Sequence, residues 1–242
     1  ADENKRLYKI GSTFVVNKPR TYTLKEGLVG YWSFDGPDMS QSTNNVWAID
    51  RSGQGNNGIL KNTATSSVRK VGKIGQALEF DGSNDYVLLN SSVYGTNLTF
   101  SAWVKSTQTT FSGSKAISSN LTGSTNDWQF IGLVDTRTYR FRIDTSGGSD
   151  TVDTTAFNTA DVWYHLLCTY DGTTMVIYVD GVENVKKTHG FGGNINNSGN
   201  ARYIGIFPNG LTGSWPGLID EVRIYNRALS ASEIRRLYNM GK

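Results

Sequence analysis

Short apolar runs alternate with turn signals along most of this chain. Candidate strands fall at residues 28–34, 76–80, 86–89, 98–104, 128–134, 139–143, 163–170, 175–179, 201–207 and 218–225. Asp35-Gly36-Pro37, Asp81-Gly82, Asp171-Gly172 and Asp180-Gly181 punctuate them. Asp-Gly between β-rich runs marks tight turns, because both residues tolerate positive φ. In 139–143, Tyr139, Phe141 and Ile143 share one face while Arg140 and Arg142 share the other, the pattern of a half-buried strand. Both faces of 163–170 are apolar, as in a central strand of a layered fold. One helix is predicted, at the C-terminus. Ser230 and Glu233 form a capping box, Ile234, Leu237 and Tyr238 follow at helical spacing, and Gly241 is a stop.

The pattern predicts an all-β chain. Residues 1–26 stand apart as a polar, basic N-terminal extension or linker, able at most to add an edge strand, and a compact domain is expected over 27–242. The 242 residues suit one large β domain, and 37% hydrophobic residues suffice for a core. The 27 glycines against 4 prolines fit a turn-rich sandwich. Net charge is +3 with the basic residues scattered, so no basic stripe points to nucleic acid. No run approaches the roughly 20 apolar residues of a membrane-spanning helix. Ala1 begins directly with a polar segment and shows no secretion signal, so the compartment is inferred rather than read. The single cysteine, Cys168, lies in an apolar run and reads as a buried, inert thiol.

Three stretches carry a resemblance. The first comprises GLVGYWSFDG (27–36), DRSGQGNNGIL (50–60) and GKIGQALEFDGSNDYV (72–87). WYHLLCTYDGTTMVIYVDGV (163–182) is the second and GLIDEVRIYNRALSASEI (217–234) the third. In this order they resemble the laminin G-like jelly-roll domains of the concanavalin A-like lectin and glucanase superfamily. The resemblance implies a sandwich of two antiparallel sheets with a short C-terminal helix, whose first and last strands pair in one sheet. That topology would bring Asp35 near Asp220. It also implies a calcium ion at this junction, fixing loops to the sandwich.

Ca²⁺ takes six to eight oxygens from carboxylates, amides and backbone carbonyls. Asp35 and Asp220 are the expected carboxylates, with Asp50 and Asn56 from the glycine-rich loop 50–58 as further ligands. Turn chemistry alone also accounts for such residues. Asp144, Asp150 and Asp153 form a second acidic cluster, expected to be an exposed hairpin loop.

Catalysis finds little support. The six glutamates, Glu3, Glu26, Glu79, Glu183, Glu221 and Glu233, are never within five positions of one another. The Glu-x-Asp-x-x-Glu strand of the related glucanases is therefore missing, and with it the carboxylate pair that glycoside cleavage needs. His165 reads as a packed core histidine and His189 as a solvated loop residue. With Cys168 they make a poor zinc set. Binding is better supported. Sugars are recognised by flat aromatic faces flanked by polar groups. Trp128 and Trp215 border loops rich in Asn, Asp, Gly and Ser, as do Trp47 and Phe191, and Arg140 projects nearby. Trp128, Arg140 and Trp215 are the expected ligand contacts, although large aromatics also plug core ends. Trp32, Trp103 and Trp163 are expected in the core. The expected function is a non-catalytic, calcium-stabilised, lectin-like module on an extracellular or cell-surface protein, with a glycan or surface polysaccharide as partner. A protein-binding adhesion module is the alternative.

Overall fold

The computed structural model describes residues 7–10, 13–16, 23–42, 45–62, 69–89, 96–120, 128–132, 136–196, 201–207 and 213–242. The chain begins with β1 (Leu7–Ile10), β2 (Thr13–Val16), β3 (Leu28–Trp32), β4 (Met39–Gln41), β5 (Val46–Ala48) and β6 (Gly58–Lys61). It continues with β7 (Arg69–Val71), β8 (Gln76–Asp81), β9 (Tyr86–Leu89), β10 (Leu98–Ser106), β11 (Lys115–Ser119) and β12 (Trp128–Gly132). Then come β13 (Tyr139–Thr145), β14 (Gly148–Asp153), β15 (Trp163–Tyr170), β16 (Thr174–Val179) and β17 (Val182–Thr188). It ends with β18 (Arg202–Ile204), β19 (Pro216–Tyr225) and the helix α1 (Ala231–Met240).

β1 and β2 pair only with each other among the described strands. The rest form two antiparallel sheets. One has the order β17-β16-β15-β10-β19-β8-β7, with β3 also on β19. The other has the order β14-β13-β12-β11-β18-β9-β6-β5-β4. Between them lies one apolar core that includes Trp32, Phe100, Trp128, Phe141, Ile177 and Val222. This is the jelly-roll sandwich that the resemblance implies, and the all-β chain that the turn spacing predicts.

The organising element is β19. One of its edges carries β10. The other carries β8 over its first half, where Ile219 faces Leu78, and β3 over its second half, where Val222 faces Trp32. β8 and β3 thus lie end to end. Glu221, at φ 55°, inserts a bulge at the junction, so that Asp220 and Glu221 both fit between the core residues Ile219 and Val222.

α1 covers the outer face of this sheet. Leu167, Tyr225, Leu229, Ile234 and Leu237 form a second apolar cluster beneath it, and Leu24 and Leu28 pack against that cluster. Packing into the domain therefore starts before Gly27. The capping box is formed as the sequence predicts: Ser230 Oγ accepts from the Glu233 amide at 3.4 Å, and the Glu233 carboxylate accepts from the Ser230 amide at 2.9 Å. Trp103 belongs to this outer layer, stacked on Tyr238 at 5.7 Å, rather than to the core between the sheets. Trp163 is only half-buried.

The strands 86–89 and 163–170 have the expected bounds, and most others shift by one or two residues. Residues 133–134 of the expected strand 128–134 lie outside the described residues. β7, β17, β4 and β14 carry no strand-like pattern because they are sheet edges. An edge strand faces solvent on much of its surface and favours polar residues such as the RKV of β7 and the VENVKKT of β17.

Glu233 also pairs with Arg227 at 2.6 Å. Burial disfavours its charge, but the Arg227 guanidinium and the Ser230 donors outweigh that and hold the carboxyl below its usual range. A depressed folded pKa stabilises the fold above the unfolded pKa, and that stabilisation fades as pH falls through the folded value. Glu233→Ala is expected to cost about 1–3 kcal/mol in urea unfolding at pH 7, with a much smaller difference from the parent near pH 3. A pH-independent difference would contradict this role.

Candidate ligand-binding site

The four carboxylate and amide residues expected around calcium fall into two groups. Asp35 Oδ1 accepts from the Gln76 amide at 2.7 Å, and Asp220 Oδ2 accepts from the Lys73 and Ile74 amides at 2.8 and 3.0 Å. Both therefore hold the turn that leads into β8. Asp50 and Asn56 instead hold loop 50–56 against β3. Asp50 accepts from the amides of Tyr31, Ser52 and Asn56 and from the Ser52 hydroxyl, and Asn56 Nδ2 donates to the Val29 carbonyl.

A test of fit for a cation separates the groups. Four donors fill the acceptor capacity of the Asp50 carboxylate. Asp220 is fully buried, and its Oδ1 has no hydrogen-bond partner. Burial pushes its pKa up to about 8, with Glu221 adding to the rise. A cation at Oδ1 would relieve both costs. Among the described residues no three His, Cys, Asp or Glu side chains gather as a metal cluster, so backbone and amide oxygens would complete the shell.

The tryptophans correct the expected sugar rim. Trp128 and Trp215 are fully buried; Trp128 packs on Phe100 at 5.3 Å and Trp215 on Phe111 at 5.6 Å. Hydrophobic burial draws both rings into the core, and neither presents a face to solvent. Asn126, Asp127 and Asn209, which flank them in sequence, lie outside the described residues. Trp47 is half-buried on β5. Arg140 is half-exposed and forms a two-point pair with Asp153, both contacts at 2.7 Å.

Among the described residues, Phe191 is an exposed aromatic, at 61% exposure. It is nonetheless held in place. Its ring lies over the turn between β13 and β14, where a Cβ on Gly148 would sit 2.9 Å from ring atoms and φ is 146°. Beneath it is His189, buried rather than solvated as its glycine-rich loop suggests. His189 is 4% exposed because its Nδ1 accepts from the Phe191 and Gly192 amides at 3.2 and 3.0 Å, while its ring packs on Tyr170. Loop 189–196 is tied down further. Gly190 donates to Asp150, Asn196 to the Asp144 carbonyl and Tyr170 to the Gly193 carbonyl, and Thr145 bridges Ile195.

Beside this ring lies the acidic cluster read as an exposed hairpin loop. Its carboxylates are paired: Asp153 with Arg140, Asp144 with Arg142 at 2.8 Å and with the Ser149 hydroxyl, and Asp150 with Lys187. Burial opposes ionisation of Asp150, but the Lys187 ammonium and the Gly190 and Thr151 amides pull its pKa down to about 2. Of these pairs, Asp150–Lys187 adjoins the ring through the Gly190 amide, whereas Arg142–Asp144 and Arg140–Asp153 alternate onto the opposite face of β13 and β14. His165 is buried as expected, with Nε2 at 2.9 Å from Ser101 Oγ, and Cys168 is a buried free thiol.

The sequence profile of the concanavalin A-like lectin/glucanases superfamily matches residues 81–235. The chain belongs to that superfamily. A comparison with curated proteins finds no match. Several solved structures share this superfamily member's fold. The binding domain of Paraclostridial Mosquitocidal Protein 1 aligns over 90% of this chain with TM-score 0.69 and 17% identity. The chain spans 53% of that structure, about half its length. Domain 4 of AbnA, a GH43 extracellular arabinanase from Geobacillus stearothermophilus solved with arabinotriose, aligns over 87% of this chain and 98% of its own, with TM-score 0.64 and 21% identity. The receptor-binding domain of botulinum neurotoxin mosaic serotype C/D aligns over 90% of this chain and 52% of its own, with TM-score 0.68 and 13% identity.

Gly148→Ala is expected to displace the Phe191 ring and to cost about 1 kcal/mol or more, since alanine neither fits beneath the ring nor favours that φ. Ring-proton shifts of Phe191 and the urea midpoint check this. An unmoved ring would show that the turn does not position it.

Proposed function

We propose that this chain is a non-catalytic carbohydrate-binding module, lectin-like in function, of an extracellular or cell-surface protein. Phe191 carries the reading: an aromatic ring 61% exposed yet fixed by its own backbone and by His189. Holding an apolar ring in water has no structural benefit of its own, and a pre-set ring binds without an ordering cost. A pyranose or furanose can lay its C–H face on the ring while its hydroxyls meet the neighbouring Asp150–Lys187 pair. These two charges cancel, which suits a neutral glycan. The arabinotriose bound to an arabinanase domain of the same fold supports the ligand class. Receptor-binding domains of toxins with this fold support a setting outside the cell. No described helix is long and apolar enough to cross a membrane.

Calcium belongs to the same reading, at Asp35 and Asp220. The orphan Asp220 oxygen is the ligand this structure offers. Asp50 and Asn56 act as loop anchors in this reading. The ion would be structural, tying the turn at 72–76 to β3 and β19.

A panel of immobilised neutral glycans should retain the protein, and Phe191→Ala should weaken retention at least tenfold while leaving the melting temperature within a few degrees. Absence of binding to every glycan class, with calcium present, would defeat the proposal. Binding to a cell-surface protein alone would favour the adhesion role instead. Millimolar Ca²⁺ should raise the melting temperature over an EDTA-treated sample, by RT ln(1 + [L]/Kd) in free energy, and Asp220→Asn should abolish the difference. Equal melting temperatures in both would remove the ion.

A further inference from the structure

On the face covered by α1 lies a cleft of about 560 Å³, distinct from the Phe191 loop. Its lining changes character along β3. Near Leu28 it is apolar, formed by Leu24, Leu28 and Met240, and Met240 stays 53% exposed at the end of α1. Three residues on, roughly 10 Å at strand rise, it is polar and cationic. There Arg51 and Ser52 reach it from the loop anchored by Asp50, and Arg223 reaches it from β19.

This cationic end is built rather than incidental. The Arg51 amide donates to the Tyr31 carbonyl at 2.8 Å, and the Ser52 amide donates to Asp50 Oδ1 at 2.8 Å. The Arg223 guanidinium lies 3.9 Å from the Tyr31 ring centre and 2.6 Å from Glu221, itself held by the Tyr31 hydroxyl. Arg223 is therefore fixed in plane with a side chain only 7% exposed, yet it lines the cleft. The lining holds three cations, Lys25 being the third, and no carboxylate. The Arg51 pair with Asp38 is half in solvent, at 57% exposure for Arg51, and such pairs hold their partners weakly.

We propose that this cleft binds a small amphipathic carboxylate, an organic acid with an aliphatic body. Its chain lies along Leu24, Leu28 and Met240, and its carboxylate sits between Arg51 and Arg223. The cleft volume is that of a small-ligand site. A charge-assisted hydrogen bond to arginine is strong enough to separate an acid from an alcohol of equal length.

The test is an NMR titration of the full chain with octanoate, with 1-octanol and with a uronic-acid oligosaccharide. Octanoate should shift the Lys25, Ser52 and Gly53 amides saturably, octanol about tenfold more weakly, and the sugar acid not at all at these residues. Arg51→Gln should weaken octanoate about tenfold or more with a melting temperature within a few degrees, whereas Phe191→Ala should leave it unaffected, so that this site stands or falls apart from the glycan reading. Equal affinity for octanoate and octanol, dispersed or non-saturating shifts, indifference to Arg51→Gln, or preference for the sugar acid would each overturn the proposal.

Discussion

The structure depends on how one edge of β19 is shared. Two strands laid end to end on a single partner leave a gap in the ladder, and backbone amides at a buried gap need other acceptors. Here the amides of Lys73, Ile74 and Gln76 find the carboxylates of Asp220 and Asp35. The turn has to pass close to both groups. A Cβ on Gly72 would sit 2.6 Å from Asp220 Oδ2, and one on Gly75 would collide with Asp35. The Gly-Lys-Ile-Gly segment, the bulge at Glu221 and the two aspartates thus form one device. It closes the sandwich where the first strand of the domain meets the last.

With the sheets closed in this way, the connections between strands are free to vary. The Phe191 loop uses that freedom. Glycines let the ring lie on the hairpin backbone, and buried His189 gives the loop a polar anchor it would otherwise lack. The ionised Asp150–Lys187 pair holds the loop beside the ring while its two charges cancel. The cleft beside α1 draws on the same scaffold differently. There the loop anchored by Asp50 and the buried Arg223–Glu221 pair set cations at one end of an apolar channel.

Much of the fold was legible in the sequence. The Asp-Gly turns, the inward series Tyr139, Phe141 and Ile143 and the capping box at Ser230 each encode local geometry that tertiary packing reinforces. Edge strands such as β7 and β17 were not legible, because a solvated edge carries no alternation. The site was legible in part. Phe191 was among the loop aromatics singled out, but nothing local distinguishes it from Trp128 or Trp215. All three neighbour polar loops, and only long-range packing on Phe100, Phe111 and Tyr139 takes the tryptophans inside. His189 misled for a related reason: its glycine-rich surroundings read as solvent, yet the Phe191 and Gly192 amides of that loop donate to its ring. The cleft had no sequence signal, since its walls come from segments nearly two hundred residues apart.

Hydrogen exchange on Asp220→Ala tests the central claim most directly. Removing this carboxylate leaves the Lys73 and Ile74 amides without their acceptor. Loss of protection should therefore concentrate in residues 72–78 and spread into β3, while β12, β13 and loop 189–196 keep theirs. Unchanged protection at Lys73, Ile74 and β3, or a uniform loss across both sheets, would contradict the view that this junction is what closes the sandwich.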